Sequence, residues 1–167
     1  LDVDREEVLQ VLRRTWGGRP RRLARVLLNQ HVRFYGSAGF SEPILMRWQN
    51  QFAENAKVLA SHHSIPEMFH NEIEGYAPSK ISSKKSLAVF FRDLEDPPFL
   101  ESKIKNAKHL IKKSGSRVLE IHSQGKSLLA RLFSLIYLGD WVSYELALLR
   151  GVDPLQIPNI SRLKEVS

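Results

Sequence analysis

The first thirty residues show apolar side chains at the three- and four-residue steps of amphipathic helices. One run starts at Asp4 and ends at Gly17-Gly18, with apolar positions at Val8, Leu9, Val11 and Leu12. Pro20 suits the first turn of a helix, so a second helix is predicted from there to about Gln30. We therefore expect the chain to begin with two short helices.

The next forty or so residues change from a β-type pattern to a helical one. Val32–Tyr35 is a short β-type run that Gly36–Gly39 ends. From Ser41 the spacing predicts a long helix with a buried face formed by Ile44, Leu45, Trp48, Phe52 and Ala56. The segment from Pro66 to Asn71 is predicted to be a loop.

The second half alternates between strand and helix patterns. The predicted elements are a strand at Leu87–Phe91, a helix at Phe99–Lys113, a strand at Arg117–Ile121 and a long helix at Gly125–Leu149. Strands and helices that alternate with short connections form a parallel sheet with helices on both faces. The pattern predicts an α/β fold, a three-layer αβα sandwich preceded by the two short helices.

Composition narrows the class of protein. The 167 residues carry a net charge of +7, and 43% are hydrophobic and 26% charged, which is typical of one globular domain and excludes disordered and fibrous classes. The chain has no cysteine, which excludes a disulfide framework, a zinc ribbon, thiol catalysis and iron–sulfur ligation. The first residue is Leu1, so we expect either a processed chain or a piece of a longer one.

The most apolar stretch, Leu128–Leu149, is interrupted by Arg131, Asp140 and Glu145. A bilayer span needs about 20 consecutive apolar residues. The stretch is therefore predicted to be a buried helix, and the protein to be soluble, cytoplasmic and without a membrane partner.

The glycine-rich turn from Gly36 to Ser41 follows a strand and opens a helix. Such a turn lets a ligand approach the backbone, and Ser37 and Ser41 could donate hydroxyl hydrogen bonds to a phosphate or sugar. The glycine spacing matches neither a Walker loop nor a dinucleotide fingerprint. A plain turn with Ser41 as the helix N-cap explains the same residues.

Two charged features have structural explanations beside functional ones. Glu54 and Lys57, in the segment Glu54-Asn55-Ala56-Lys57, are three residues apart and could simply pair on a solvated helix face. Six arginines between Arg13 and Arg25 could bind nucleic-acid phosphates. No recognition motif accompanies them, so a solvated basic face, or a face that meets an acidic partner domain, is the preferred interpretation.

The triplet His70-Asn71-Glu72 is predicted to lie on a loop beside the sheet. Glu72 could act as a general base and His70 could orient it or bind a hydroxyl. His62 and His63 are close in sequence but complete no metal signature, so no metal site is predicted. Ordinary surface polarity explains the same residues.

The C-terminal tail carries Pro154 and Pro158, which stiffen it. Ile157, Ile160 and Leu163 could dock the tail onto the body and so fix the position of Lys164. A solvated terminal lysine is the alternative.

These motifs together resemble one family, the bifunctional glucose/mannose-6-phosphate isomerases, over residues 32 to 167 and in the order of their second half. The resemblance rests on Arg33–Ser37, Arg47-Trp48, Glu54–Lys57, Pro66–Met68, His70–Tyr76, Phe91–Asp93, Gly139–Tyr144, Leu146–Pro154 and Leu163-Lys164. It implies a sugar isomerase (SIS) domain at residues 32–167 after a helical linker segment at residues 1–31.

The resemblance also implies aldose–ketose isomerisation of hexose 6-phosphates through a cis-enediol, without a metal or cofactor. It implies Glu72 as the base and Lys164 near the developing oxyanion, and His70, in the same triplet as Glu72, is predicted as a further catalytic group. The predicted substrate-binding residues are Ser37, Ser41, Asn55, Lys57 and Asn71. It further implies a homodimer and a preceding SIS domain that holds most of the phosphate contacts.

The chain departs from the family in one respect. The family opens the sugar ring with a histidine, but no histidine lies between Asn71 and His109, and the segment around Asp96-Pro97-Pro98 has none. His70 and His109 are the candidates for that role. The departure motivates an alternative function, a non-catalytic SIS domain that binds sugar phosphates in a regulatory or interaction role.

Overall fold

The protein is described here by a computed structural model, which covers residues 2–15, 18–77 and 86–166. Four strands form one parallel sheet in the order β2-β1-β3-β4. The strands are β1 (His31–Ser37), β2 (Ser61–Ile65), β3 (Ser86–Arg92) and β4 (Arg117–His122). The helices are α1 (Asp2–Thr15), α2 (Arg19–Leu27), α3 (Glu42–Glu54), α4 (Phe99–Lys113), α5 (Leu128–Arg150) and α6 (Pro158–Glu165). Two 3₁₀ turns, Glu67–Phe69 and Glu72–Tyr76, follow β2.

Helices cover both faces of the sheet. Side chains of α2, α3 and α5 pack against one face around Phe34 and Val89, and α1 packs on α5. Side chains of α4 and the 3₁₀ turns pack against the other face around Tyr35 and Phe90. The predicted three-layer αβα sandwich with a parallel sheet is confirmed.

Large aromatic rings fill the first of these two cores. Phe34 lies edge-on to Trp48, Phe52 and Phe91, with ring centroids 5.3–5.8 Å apart. The Trp48 indole donates a hydrogen bond of 2.9 Å to the Leu135 carbonyl of α5. Gly139 has to be a glycine because a Cβ there would collide with the Trp48 ring. This close approach fixes α3 against α5.

The sequence pattern located most elements but missed β2. Its residues, Ser-His-His-Ser-Ile, are polar, and four of the five are only partly buried because β2 is an edge strand and pairs with β1 alone. Hydrophobic patterning cannot detect such a strand. β1 also continues two residues past the predicted end, through Gly36 and Ser37. Leu1, from which a processed or partial chain is expected, and Gly17, where the first helix is predicted to end, lie outside the described residues.

The first two helices belong to the helical layer. Ala24 and Leu27 of α2 are part of the core with α5, and both are buried. Glu7 of α1 accepts hydrogen bonds from the backbone N–H groups of Lys126 and Ser127, which lie at the start of α5, and these bonds lower the pKa of Glu7. The boundary expected between residues 31 and 32 stays a prediction.

Helix α5 is long and apolar enough to cross a membrane by length and composition, and 44% of its most apolar window is buried inside the fold. Helices α1, α2 and α3 all pack against it. A core helix passes the same test, and this packing is that of a core helix.

Candidate functional site

Glu72 lies beside the two strands at the β2 edge of the sheet. Its Oε1 is 3.0 Å from Arg33 Nε on β1, and its Oε2 is 3.3 Å from His63 Nε2 on β2. The Glu72 side chain is only 18% exposed, and side chains of two strands contact its carboxylate. We call Arg33, His63 and Glu72 the Glu72 site.

The parallel register explains why these residues meet. Tyr35 pairs with His63 and Arg33 with Ser61, so Arg33, Tyr35 and His63 share one face of the sheet. The Asn71 Oδ1 accepts a hydrogen bond of 2.5 Å from the Glu72 backbone N–H at the start of the second 3₁₀ turn. That contact caps the turn that carries Glu72.

Arg33 is itself fixed by its surroundings. Its Nη1 donates a hydrogen bond of 3.0 Å to Ser86 Oγ on β3, and its guanidinium lies 5.9 Å from the centre of the Tyr76 ring. The Tyr76 hydroxyl is 2.8 Å from that of Tyr35. Burial raises the pKa of both tyrosines, and the nearby Glu72 charge adds to it, so both stay neutral at physiological pH.

The other two members of the predicted triplet have different surroundings. Asn71 is exposed, and its Nδ2 donates a hydrogen bond to Glu67 Oε1 at 3.1 Å. His70 is also exposed, at the end of the first 3₁₀ turn, and its backbone N–H donates to the Glu67 carbonyl. The structure places the His63 ring, rather than His70, against the Glu72 carboxylate.

Ser37 lies elsewhere, where β1 and β3 end. Its hydroxyl donates a hydrogen bond of 2.5 Å to Asp96 Oδ1, and the other Asp96 oxygen accepts one of 2.7 Å from Arg92 Nε. The Asp96 side chain is only 5% exposed. Along β1, Ser37 is four residues beyond Arg33, about 13 Å. Ser37 therefore belongs to a second polar cluster.

Arg131 of α5 completes that cluster. Its Nε is 3.1 Å from Asp93 Oδ2, and both side chains are 2% exposed. Its Nη1 donates to the Lys126 carbonyl at 2.6 Å, and its Nη2 is 2.6 Å from Glu95 Oε2. We call Ser37, Arg92, Asp93, Asp96 and Arg131 the carboxyl-end network, because it joins the carboxyl ends of the central strands to α5.

Ser41 occupies the N-cap position of α3, but its hydroxyl does not cap the helix. The Ser41 Oγ is buried and has no hydrogen-bond partner among the described residues. A Cβ on Gly36 would lie 2.5 Å from the Ser41 Cβ, so the turn is tight because Gly36 has no side chain. The predicted substrate roles of Ser37 and Ser41 stay predictions.

Asn55 and Lys57 stabilise the end of α3. Asn55 Nδ2 donates hydrogen bonds to Gln51 Oε1 at 2.7 Å and to Ser143 Oγ of α5 at 2.9 Å. Lys57 Nζ donates to the carbonyls of Glu54 and Asp153, at 2.6 and 2.9 Å. The expected pairing of Lys57 with the Glu54 carboxylate is therefore wrong, because the ammonium group reaches backbone carbonyls instead. The predicted substrate roles of these two residues are untested.

The tail forms helix α6 beside the end of α3. A cavity of about 380 Å³ separates them and is lined by Lys57, Leu59, Ile157 and Ile160, among others. Ile157 and Ile160 thus face the body across this cavity, whereas Leu163 is 76% exposed. No residue of α6 is buried. Lys164 lies on this exposed helix.

The arginine cluster lies on the other side of the sheet from Glu72. Arg13, Arg14, Arg22 and Arg25 are exposed on α1 and α2, which pack on the opposite helical layer. Arg21 Nε is 3.9 Å from Glu145 Oε2.

In the described residues no group of three or more metal-ligating side chains comes together.

Sequence reasoning missed the contacts of Arg33 and His63 with Glu72. A signal for Arg33 was present, because an arginine interrupts the otherwise apolar run from Val32 to Tyr35 and needs a partner if it is buried. No such signal existed for His63, since its strand was not detected. Asp93, Asp96 and Arg131 were missed because their partners are distant in sequence.

The sequence of this chain is similar to that of known proteins. A family model described as the bacterial phospho-glucose isomerase C-terminal SIS domain matches residues 18–166. The chain is 40% identical over 144 residues to a bifunctional phosphoglucose/phosphomannose isomerase of Caldicellulosiruptor bescii and 37% identical over 131 residues to that of Thermoplasma volcanium. These matches cover 86% and 78% of this chain but 42% and 41% of the relatives. The chain therefore spans about two fifths of their length.

Solved structures share the fold. A glucose-6-phosphate isomerase-like protein from Thermus thermophilus superposes with a TM-score of 0.68 at 26% identity, over 89% of this chain and 47% of that one. The C-terminal domain of a glucosamine-fructose-6-phosphate aminotransferase from Francisella tularensis gives 0.70 at 12% identity, over 93% and 45%, and shows the fold alone. Since the family model covers most of the chain, the chain belongs to the family of bacterial phosphoglucose isomerase C-terminal SIS domains.

Proposed function

We propose that this chain supplies the proton-transferring half of an isomerase active site that interconverts aldose and ketose hexose 6-phosphates. The observation that carries the proposal is the Glu72 carboxylate, 18% exposed and fixed by Arg33, in a chain of the phosphoglucose isomerase family. The relatives named as phosphoglucose/phosphomannose isomerases support the substrate class.

Glu72 acts as the base in this proposal. It removes the proton from C2 of the open aldose while the C1 oxygen takes up a proton, which gives the cis-enediol. Glu72 then returns its proton to C1 while the C2 hydroxyl gives up its own. A fixed carboxylate suits this step because its position does not change between the two transfers. Arg33 keeps the carboxylate in place, since its guanidinium holds one oxygen and is itself bound to Ser86. The step needs neither metal nor cofactor.

Lys164 is the proposed cation for the oxyanion that develops on the substrate. It lies near the end of α6, a helix with no buried residue, so its position in the working enzyme depends on what α6 contacts there. We propose that a preceding SIS domain and a second copy complete the site, in a cytoplasmic homodimer. The great difference in length between this chain and its relatives supports a further domain.

The test is a coupled assay of the full-length gene product on fructose 6-phosphate and mannose 6-phosphate. Glu72→Gln should lower kcat about a thousandfold, within the usual range for loss of a general base. Glu74→Gln is the matched control, because Glu74 is exposed on the same 3₁₀ turn. Turnover at the wild-type rate in Glu72→Gln would contradict the assigned base.

The alternative, a sugar-phosphate-binding domain without catalysis, predicts a different outcome. The intact protein would then bind a hexose 6-phosphate in calorimetry and show no isomerisation. That result would replace the enzymatic proposal, whatever the variants do.

A further inference from the structure

The two oxygens of the Glu72 carboxylate have different surroundings. Oε1 is 3.0 Å from the Arg33 guanidinium, which occupies one of its electron pairs. Oε2 is shielded from solvent and accepts no hydrogen bond within the described part of the chain. A buried acceptor without a donor costs free energy, and proteins keep such atoms mainly where they have a use. Oε2 is thus the oxygen whose electron pairs remain available to accept a proton.

His63 is the side chain that faces this oxygen. Its Nε2 is 3.3 Å from Glu72 Oε2, and the ring is 42% exposed on the edge strand β2. The neighbouring His62 points to the opposite face of the sheet, where its Nδ1 is 2.6 Å from Gln49 Oε1. The imidazole of His63 therefore lies between Oε2 and water.

We propose that His63 is a positioning residue for Glu72, which directs Oε2 and keeps water away from it; this rests on the proposed function of Glu72. In the first transfer the C2–H bond breaks and an O–H bond forms at Oε2, while the electron pair of the broken bond makes the C1–C2 double bond and the C1 oxygen takes up a proton. In the second that O–H bond breaks and a C1–H bond forms, while the C2 hydroxyl gives up its proton and becomes the carbonyl of the ketose. Between the two steps the proton must stay on Glu72, and a shielded oxygen exchanges it with water more slowly than an open one.

The substrate still has to reach Oε2, and the partial exposure of His63 allows this. Side chains that are partly exposed change rotamer within nanoseconds. The ring can therefore turn aside when a sugar approaches from solvent and the sugar then takes over the shielding of Oε2. Arg33 holds the other oxygen throughout, so the carboxylate itself does not have to move.

The experiment compares His63→Ala with His62→Ala in the full-length gene product, with hexose 6-phosphate as substrate in D₂O. His63→Ala should lower kcat about tenfold, because a reacting group that is less well positioned loses rate, with KM unchanged. It should also raise the amount of solvent deuterium incorporated into product per turnover. His62→Ala should change neither quantity, because its ring lies on the other face.

Two further variants separate positioning from a merely structural role. His63→Gln keeps an N–H donor and most of the bulk, so it should restore most of the kcat and of the retained hydrogen. Adding His63→Ala to Glu72→Gln should cost no further activity, because His63 acts through Glu72. A loss that persists in that background would overturn the proposal, and so would unchanged deuterium incorporation in His63→Ala.

Failure of this inference is distinct from failure of the proposed function. If Glu72→Gln is inactive but His63→Ala matches the wild type, only the role of His63 is wrong. If Glu72→Gln remains active, the base is wrong and His63 loses its role with it. Equal melting temperatures of His63→Ala and the wild type exclude unfolding as the cause of any loss.

Discussion

The carboxyl-end network and the Glu72 site both join acidic side chains to arginines, but they differ in how completely the carboxylate oxygens are hydrogen-bonded. In the carboxyl-end network Asp93 and Arg131 are each 2% exposed, and both oxygens of Asp96 accept hydrogen bonds. In the Glu72 site one carboxylate oxygen accepts none, and the facing histidine is open to solvent. Both carboxylates of the network are fully hydrogen-bonded, although Arg131 Nη2 has no hydrogen-bond partner among the described residues, whereas the Glu72 carboxylate is only half satisfied.

This difference indicates different tasks. A buried carboxylate whose two oxygens are both hydrogen-bonded holds elements together, because losing its arginine leaves a charge without solvent or counterion. A partly exposed pair with an unused acceptor has electron pairs left for a ligand. The parallel-sheet rule places ligands at the carboxyl ends of strands. Here the groups at the carboxyl ends bind one another, and the available carboxylate lies by the β2 edge.

The largest effect is expected from Arg131→Met, which breaks the buried pair at its centre. It should lower the free energy of unfolding by about 3–5 kcal/mol, since Asp93 is left buried without its counterion. Denaturant unfolding followed by circular dichroism measures this. Arg21→Met is the control, because its pair with Glu145 is solvent-exposed and should be worth less than about 1 kcal/mol. Equal losses of unfolding free energy in both variants would show that the buried pair contributes no more to stability than the exposed one.

A smaller effect is expected from Asp96→Ala. It removes the acceptor of the Ser37 hydroxyl and of Arg92 Nε, which should cost about 2–3 kcal/mol of unfolding free energy. Glu101→Gln is its matched control, because Glu101 accepts from the same arginine but is exposed.

The control has its own pH dependence. The hydrogen bond from Arg92 lowers the pKa of Glu101 below 4.5, so its contribution is present above that pH and is lost as the pH falls through the folded value. Stability of Glu101→Gln should therefore approach that of the wild type in acid. A loss from Glu101→Gln at pH 7 as large as that from Asp96→Ala would contradict the importance of burial.

Next in size is the tyrosine pair beneath the Glu72 site. Tyr35→Phe leaves the buried Tyr76 hydroxyl without its 2.8 Å partner, which should cost about 1 kcal/mol. Burial raises the pKa of both tyrosines, so their contribution is complete below about pH 10, where unfolded tyrosine ionises, and is lost as the pH rises above it. Urea unfolding between pH 8 and 11 should show this decline, and the Tyr35→Phe/Tyr76→Phe double variant should flatten it. An equal slope in the double variant would assign the decline to other groups.

The smallest effect on stability is expected from Glu72→Gln. Because Glu72 leaves one oxygen unsatisfied and Arg33 is 38% exposed, the change in unfolding free energy should stay within about 1 kcal/mol. The same substitution should lower activity about a thousandfold. A large stability loss would place the Glu72 site with the carboxyl-end network and remove the contrast between them.

Much of the fold could be predicted from the sequence alone. The apolar run at Leu87–Phe91 and the helical spacing of Phe99–Lys113 lie inside or at the bounds of the observed elements, since burial of these side chains depends on a local repeat. The polar edge strand could not be found in this way. Glu72 was identified from a motif, but which of the nearby histidines faces it depends on the register of β2 against β1.

The sequence by itself determined the alternation of strands and helices, the absence of cysteine chemistry and the family, because periodicity, composition and short motifs are properties of neighbouring residues. Only the tertiary structure decided that Ser37 binds Asp96 and that Glu72 meets Arg33 and His63. Those partners are separated by up to 59 residues along the chain. Strand order and register bring them together, and both are set by packing of the whole sheet between its helical layers.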